Sequence, residues 1–234
     1  MRKYNEDGMK FIIVAYLGID SGDLKKVNDP KVLKKIVSQC SNKAYQDLKR
    51  RVPYRYSISR IKSLEKTERD EYCSKKEDFI KEIKRKIVDG LVDEDGLVAS
   101  EKMCPRGIIK DVLEVQKKYE KLFSEKNSFT IGLAQKWVNM TIKYVWALGI
   151  LDENYEEKID MPIDGYIINK INKEEKDIDV PNNAWSKWNN FAEYEKIQDS
   201  LTDVLRKKET TKTRIRWENN AWIKETIERN SKKS

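Results

Sequence analysis

Histidine is absent from the 234-residue chain. That excludes a Ser-His-Asp triad, histidine-dependent ribonuclease chemistry and the usual zinc-enzyme ligand sets. Cysteine is scarce: Cys40, Cys73 and Cys104 form no Cys-x-x-Cys pair and fall one short of a four-thiolate iron–sulfur cluster. An odd, scattered set gives no disulfide framework either. Long apolar runs are missing as well. Residues 11–17 form an apolar run near the start, but a bilayer-spanning helix needs about 20 such residues. With no signal-peptide cleavage pattern, the sequence is read as that of a cytoplasmic protein. Any catalysis would rest on carboxylates, Lys, Tyr, Ser, Thr or a carboxylate-bound metal, and no cofactor is called for.

What is present points to a folded, basic protein. Hydrophobic and charged residues each make up 38%, which is charge-rich, yet six Trp, eleven Tyr and five Phe supply bulky core material that a disordered chain lacks. The net charge of +8 and pI near 9.1 bear on partners rather than on fold. Nucleic acid is one natural partner, since neutralising phosphates releases counterions; a Lys- and Glu-rich surface that leans positive is the other reading.

Hydrophobic spacing along the chain predicts an all-α fold. Residues 11–17 fit a buried strand or a core helix. Asp29-Pro30 opens a helix that runs to about Arg50. The tract that follows interleaves Arg50, Arg51, Arg55, Arg60 and Lys62 with Tyr54 and Tyr56. This mixture suits phosphate contacts and base stacking, and also suits a surface loop with half-buried tyrosines. Helices are expected over 65–88 and 107–123. Between them the turn-rich stretch 90–100, with Gly90 and Gly96, suggests a boundary: an N-terminal helical lobe, 1–95, and a core, 96–234, ending in Trp-rich helices. Trp185, Trp188, Phe191 and Tyr194 cluster before one helix, and Trp217 and Trp222 lie in the last. Such clusters serve as core or interface anchors more often than as a ligand cage.

Residues 129–171 carry the candidate chemistry. Leu133, Trp137, Met140, Tyr144 and Leu148 fall at helical spacing, with Lys136, Asn139 and Lys143 on another face beside Gln135. Gly149 ends that helix, and after a loop Pro162-Ile163-Asp164 opens the next, with Asp164 placed to cap it. Gly132-Leu133-Ala134-Gln135-Lys136, the helix to Gly149 and the later Pro-Ile-Asp resemble the helix-hairpin-helix superfamily of base-excision DNA glycosylases. In that family a Gly-rich hairpin leads into a helix, and an Asp begins the next one. The block is also similar to one shared by a family of prokaryotic proteins of comparable size, with the pattern Gln-Lys, Asn, Lys-Tyr-x-Trp, Leu-Gly and Pro-Ile/Phe-Asp.

The glycosylase resemblance implies a two-lobed helical fold and excision of a damaged or modified DNA base, with a place in repair or phage defence. Asp164 would stabilise positive charge at the sugar or activate water, or Lys136 would attack C1′ and form a Schiff base. Gly132, Gln135, Asn139 and Lys143, with Arg50, Arg51 and Arg55, would hold DNA. Trp137, Trp146, Trp185 and Trp188 would receive the flipped base. Two alternatives stay open: a non-catalytic nucleic-acid-binding protein using the basic tract, and a protein-interaction module of a prokaryotic defence system. In both, Asp164 is only a helix cap and Lys136 a solvated side chain.

Overall fold

The computed structural model describes residues 6–98, 102–124, 128–208 and 213–231. Among them the regular structure is helical, with two isolated bridges and no strand. The chain is all-α, as its periodicity predicts. The helices are α1 (Glu6–Leu17), α2 (Ser21–Leu24), α3 (Pro30–Leu48), α4 (Ile58–Lys62), α5 (Lys66–Leu91), α6 (Pro105–Lys118), α7 (Ile131–Ala147), α8 (Glu153–Glu156), α9 (Gly165–Glu174), α10 (Phe191–Lys207) and α11 (Arg214–Ser231).

Local rules account for the main boundaries. The Asp29 side chain accepts the Lys31 amide and Pro30 occupies the first turn of α3, where its missing N–H costs nothing. Leu33, Ile36, Val37, Cys40, Ala44 and Leu48 then recur at three- and four-residue spacing and are all buried. Residues 11–17, equally compatible with a strand, belong to α1.

Helix α7 lies at the centre. Thr130 caps it, and every residue from Ile131 to Val145 except Met140 is buried. A helix apolar on most sides must be surrounded, and α7 packs against α3, α6 and the short turn Trp185–Lys187. It ends where Gly149 adopts φ +72°, a left-handed conformation that costs a Cβ-bearing residue about 1–2 kcal/mol. Around its first half runs an aromatic chain: Phe79 meets Phe123 and Phe129 edge-on, and Phe129 meets Trp137, which lies 4.7 Å from the Tyr45 ring.

One continuous core runs from Ile19 to Ala221. It crosses residues 90–100, because α3 and α5 pack directly on α6 and α7. Within it, residues 92–97 form a tight turn closed by a Val92–Leu97 bridge, with Asp93 accepting the amides of Asp95 and Gly96. No described helix is long and apolar enough to cross a membrane.

Candidate active site

Residues 159–163 have no regular structure, yet all five are buried. Buried backbone groups without a helix or sheet must find side-chain partners. Gln135 Nε2 donates to the Ile163 carbonyl at 2.7 Å, and its Oε1 accepts the Ile163 amide at 3.1 Å. Gln198 treats Met161 the same way, at 2.8 and 3.1 Å. Asn139 Nδ2 adds bonds to the Met161 carbonyl and the Tyr194 hydroxyl. Two amides thus stand in for β-strand neighbours, and Pro162 between them has no N–H to satisfy. Asp160 completes the anchorage: it accepts from Tyr194 and forms ion pairs with Arg106 and Arg214 at 3.0 and 3.1 Å.

The clamp delivers Asp164 to the start of α9. Its Oδ1 accepts the Tyr166 and Ile167 amides, so the cap expected from the sequence is present. Its Oδ2 accepts from Lys136 Nζ at 2.7 Å, with both side chains 14% exposed or less. Burial pushes the Asp164 carboxyl up, but the Lys136 charge and hydrogen bond, with the two amides, outweigh it and hold it below the usual aspartate range.

The pair borders a cleft of about 460 Å³ between α1, α7 and α11. From α7 and its C-terminal cap come Lys136, Met140, Lys143, Tyr144 and Leu148, one helical stripe. Across from it stand Ile12, Ile13, Tyr16 and Leu17 of α1 and Glu218, Asn219, Trp222 and Ile223 of α11. A second buried pair lies deeper: Lys143 Nζ donates to Glu218 Oε2 at 2.6 Å. Desolvation raises the Glu218 carboxyl above its ordinary value even though Lys143 and Lys136 lower it. The Tyr144 hydroxyl donates to Asp47 and lies 3.2 Å from that of Tyr16; burial, then the Asp47 bond, keeps the phenol protonated. Among the described residues no group of three or more Cys, Asp or Glu could hold a metal.

Several sequence expectations require correction. Gly132 does not present its amide to phosphate: it donates to the Trp188 carbonyl at 3.1 Å, and a Cβ there would lie 1.8 Å from the Trp185 carbonyl oxygen. The close approach of residues 185–188 demands this glycine, and that approach covers the start of α7. Gln135 and Asn139 are fully buried in the clamp and cannot reach DNA. Trp137 is a core residue, its indole N–H bound to the Ser41 carbonyl and hydroxyl, both at 3.0 Å. Trp188 is buried and donates to the Asn183 carbonyl. Trp146 donates to Glu156, while Trp185, half-buried, packs with its neighbours over the start of α7. None of these four lines the cleft. Lys143 does, although its charge already has a partner in Glu218. Arg50, Arg51 and Arg55 are exposed, and the first two follow Asp47, which lines the cleft, by three and four residues.

The residues missed were Tyr16, Asp47, Glu218 and Trp222, together with Gln198 and Tyr194 of the clamp. A legible hint existed: Gln135 and Asn139 recur four apart on a largely apolar helix, the mark of a buried polar partner. No protein-family model matches the chain, and neither does any curated protein or solved structure.

Proposed function

We propose that the cleft is the active site of a DNA glycosylase of the helix-hairpin-helix type, acting on a damaged or modified base. One juxtaposition carries the reading. Lys136 and Asp164, 28 residues apart, meet at 2.7 Å beside a cleft of about 460 Å³ that Tyr16, Tyr144 and Trp222 also line. Cleaving an N-glycosidic bond builds positive charge at C1′, and a carboxylate held ionised in a partly desolvated site stabilises it or orients water against it. Lys136 holds Asp164 in that state. If Lys136 instead attacks C1′, the pair must first open and the ammonium lose its proton. The cleft lies in the 300–1,000 Å³ range of ligand sites, and the aromatic side chains suit a flipped base. Arg50, Arg51 and Arg55 would contact phosphates. Helices before and after the turn at residues 92–97 would correspond to the two lobes of that fold, packed here around one shared core.

The test is abasic-site formation, read with an aldehyde-reactive probe on unmodified, oxidised, alkylated and phage-modified DNA. Sodium borohydride trapping on any cleaved substrate separates a Lys136 Schiff base from water attack.

A specific observation favours a second reading. Of the eight exposed large hydrophobic residues among those described, seven belong to α1 or α11: Phe11, Ile12, Val14, Tyr16, Trp222, Ile223 and Ile227. Apolar surface gathered on two helices marks an interaction site, as a protein-interaction module would have. Such a protein would form a complex and leave every DNA substrate intact.

A further inference from the structure

Of the buried side-chain polar atoms that lack a hydrogen-bond partner among the described residues, only Glu218 Oε1 belongs to a residue lining the cleft. The Glu218 side chain is 1% exposed, and its other oxygen is engaged by Lys143. An unsatisfied buried acceptor is costly, and more so when it carries charge. A ligand that brings a donor to Oε1 removes that cost.

The surroundings say what kind of ligand this would be. Lys143 Nζ lies 5.8 Å from the centre of the Trp222 ring, so the ion pair sits beside an aromatic face. Tyr16 and Tyr144, edge to face at 6.0 Å, contribute further aromatic wall. An ammonium carries three donors, and Glu218 Oε2 is the hydrogen-bond partner found for this one. Side by side, the pair therefore offers one free acceptor and free donor capacity next to a stacking surface.

We infer that Glu218 and Lys143 read the edge of the base in the cleft, selecting a heterocycle with an N–H donor next to an acceptor. The N–H donates to Glu218 Oε1 and the acceptor takes a hydrogen from Lys143 Nζ. A base methylated at that nitrogen is rejected, because it leaves Oε1 buried and unpaired and places a methyl group against it. This selection rests on the reading that a base enters the cleft, and it names the class of base.

Binding tests it without catalysis. The probes are single-stranded oligonucleotides with one non-hydrolysable 2′-fluoroarabino nucleotide, carrying either hypoxanthine or 1-methylhypoxanthine. The lactam edge of hypoxanthine holds one donor beside one acceptor, and the methyl group removes the donor. By fluorescence anisotropy, wild type is expected to bind the unmethylated probe at least ~10-fold more tightly, since sites built around a hydrogen bond reject analogues lacking it. In Glu218→Gln the amide oxygen stays on Lys143 Nζ and the NH₂ turns into the cleft, so the preference collapses to within about twofold. Equal binding by wild type, no binding of either probe, or a preference that survives in Glu218→Gln overturns the inference. The wild-type comparison stands even if the variant fails to fold. Abasic-site formation on hydrolysable DNA reports separately: preference without cleavage keeps the selection and removes the glycosylase, and cleavage without preference does the reverse.

Discussion

Replacing Gln135 by Met isolates the clamp that positions Asp164. Met matches Gln closely in volume and helix propensity, so neither α7 nor core packing is the quantity changed. The hydrogen bonds are. Gln135 satisfies both the amide and the carbonyl of Ile163, in a segment where every residue from 159 to 163 is buried. Each orphaned buried group costs about 1–3 kcal/mol, which puts two of them at roughly 2–6 kcal/mol. Part of that is recovered, because the variant no longer buries an amide. The expected loss is about 2–4 kcal/mol, a large fraction of the ~5–15 kcal/mol that holds a domain together. Urea unfolding followed by circular dichroism should show a lower midpoint with an unchanged slope. Thermal unfolding should fall by roughly 5–15 °C at the ~2–4 °C per kcal/mol of a chain this long. A loss under ~0.5 kcal/mol would refute the reasoning, since the segment would then be held by apolar packing alone.

Other perturbations probe the remaining parts. Gly132→Ala sets a Cβ against the Trp185 carbonyl; displacing residues 185–188 should cost about 1–3 kcal/mol by thermal melting, the range for overpacking. Lys143→Met strands Glu218, whose carboxyl burial already pushes up. A raised folded-state pKa means stability complete below the unfolded value of 4.5 and lost as pH rises through the folded one. The variant's deficit should therefore be small at pH 4 and grow towards about 3–5 kcal/mol by pH 8. Changing Arg50, Arg51 and Arg55 together to Ala should weaken DNA binding and flatten its log-log salt dependence by about 2–3, near 0.7–0.9 for each phosphate no longer neutralised. An unchanged slope would remove those arginines from the DNA surface.

What the sequence makes legible here is local. The Asp29-Pro30 start of α3, the Gly149 stop of α7 and the Asp164 cap of α9 each depend on neighbours within four residues, and each is where the sequence puts it. The Lys136–Asp164 meeting is only partly legible: both residues stand out, but their convergence depends on residues 159–163 being drawn against α7. That depends in turn on Gln198, 35 residues beyond Ile163 in the chain. Glu218 lies 75 residues from Lys143, and no pattern in either helix announces the pair. The tryptophans mislead for a related reason. An indole suits a base pocket or a core equally, and only the position of Ser41, 96 residues from Trp137, decides. Residues 11–17 belong to α1 and leave Phe11, Ile12, Val14 and Tyr16 exposed, which a run of apolar residues does not reveal.

The most direct measurement is abasic-site formation by wild type and by Asp164→Asn across the DNA panel. Asn caps helices as well as Asp does, so the variant keeps α9 while losing the carboxylate charge. The account predicts abasic sites on at least one modified substrate with wild type and a loss of at least ~100-fold in the variant, the scale of removing one electrostatic contact to a transition state. Product on no substrate, or equal product from both proteins, would contradict the assignment of the Lys136–Asp164 cleft as a glycosylase active site.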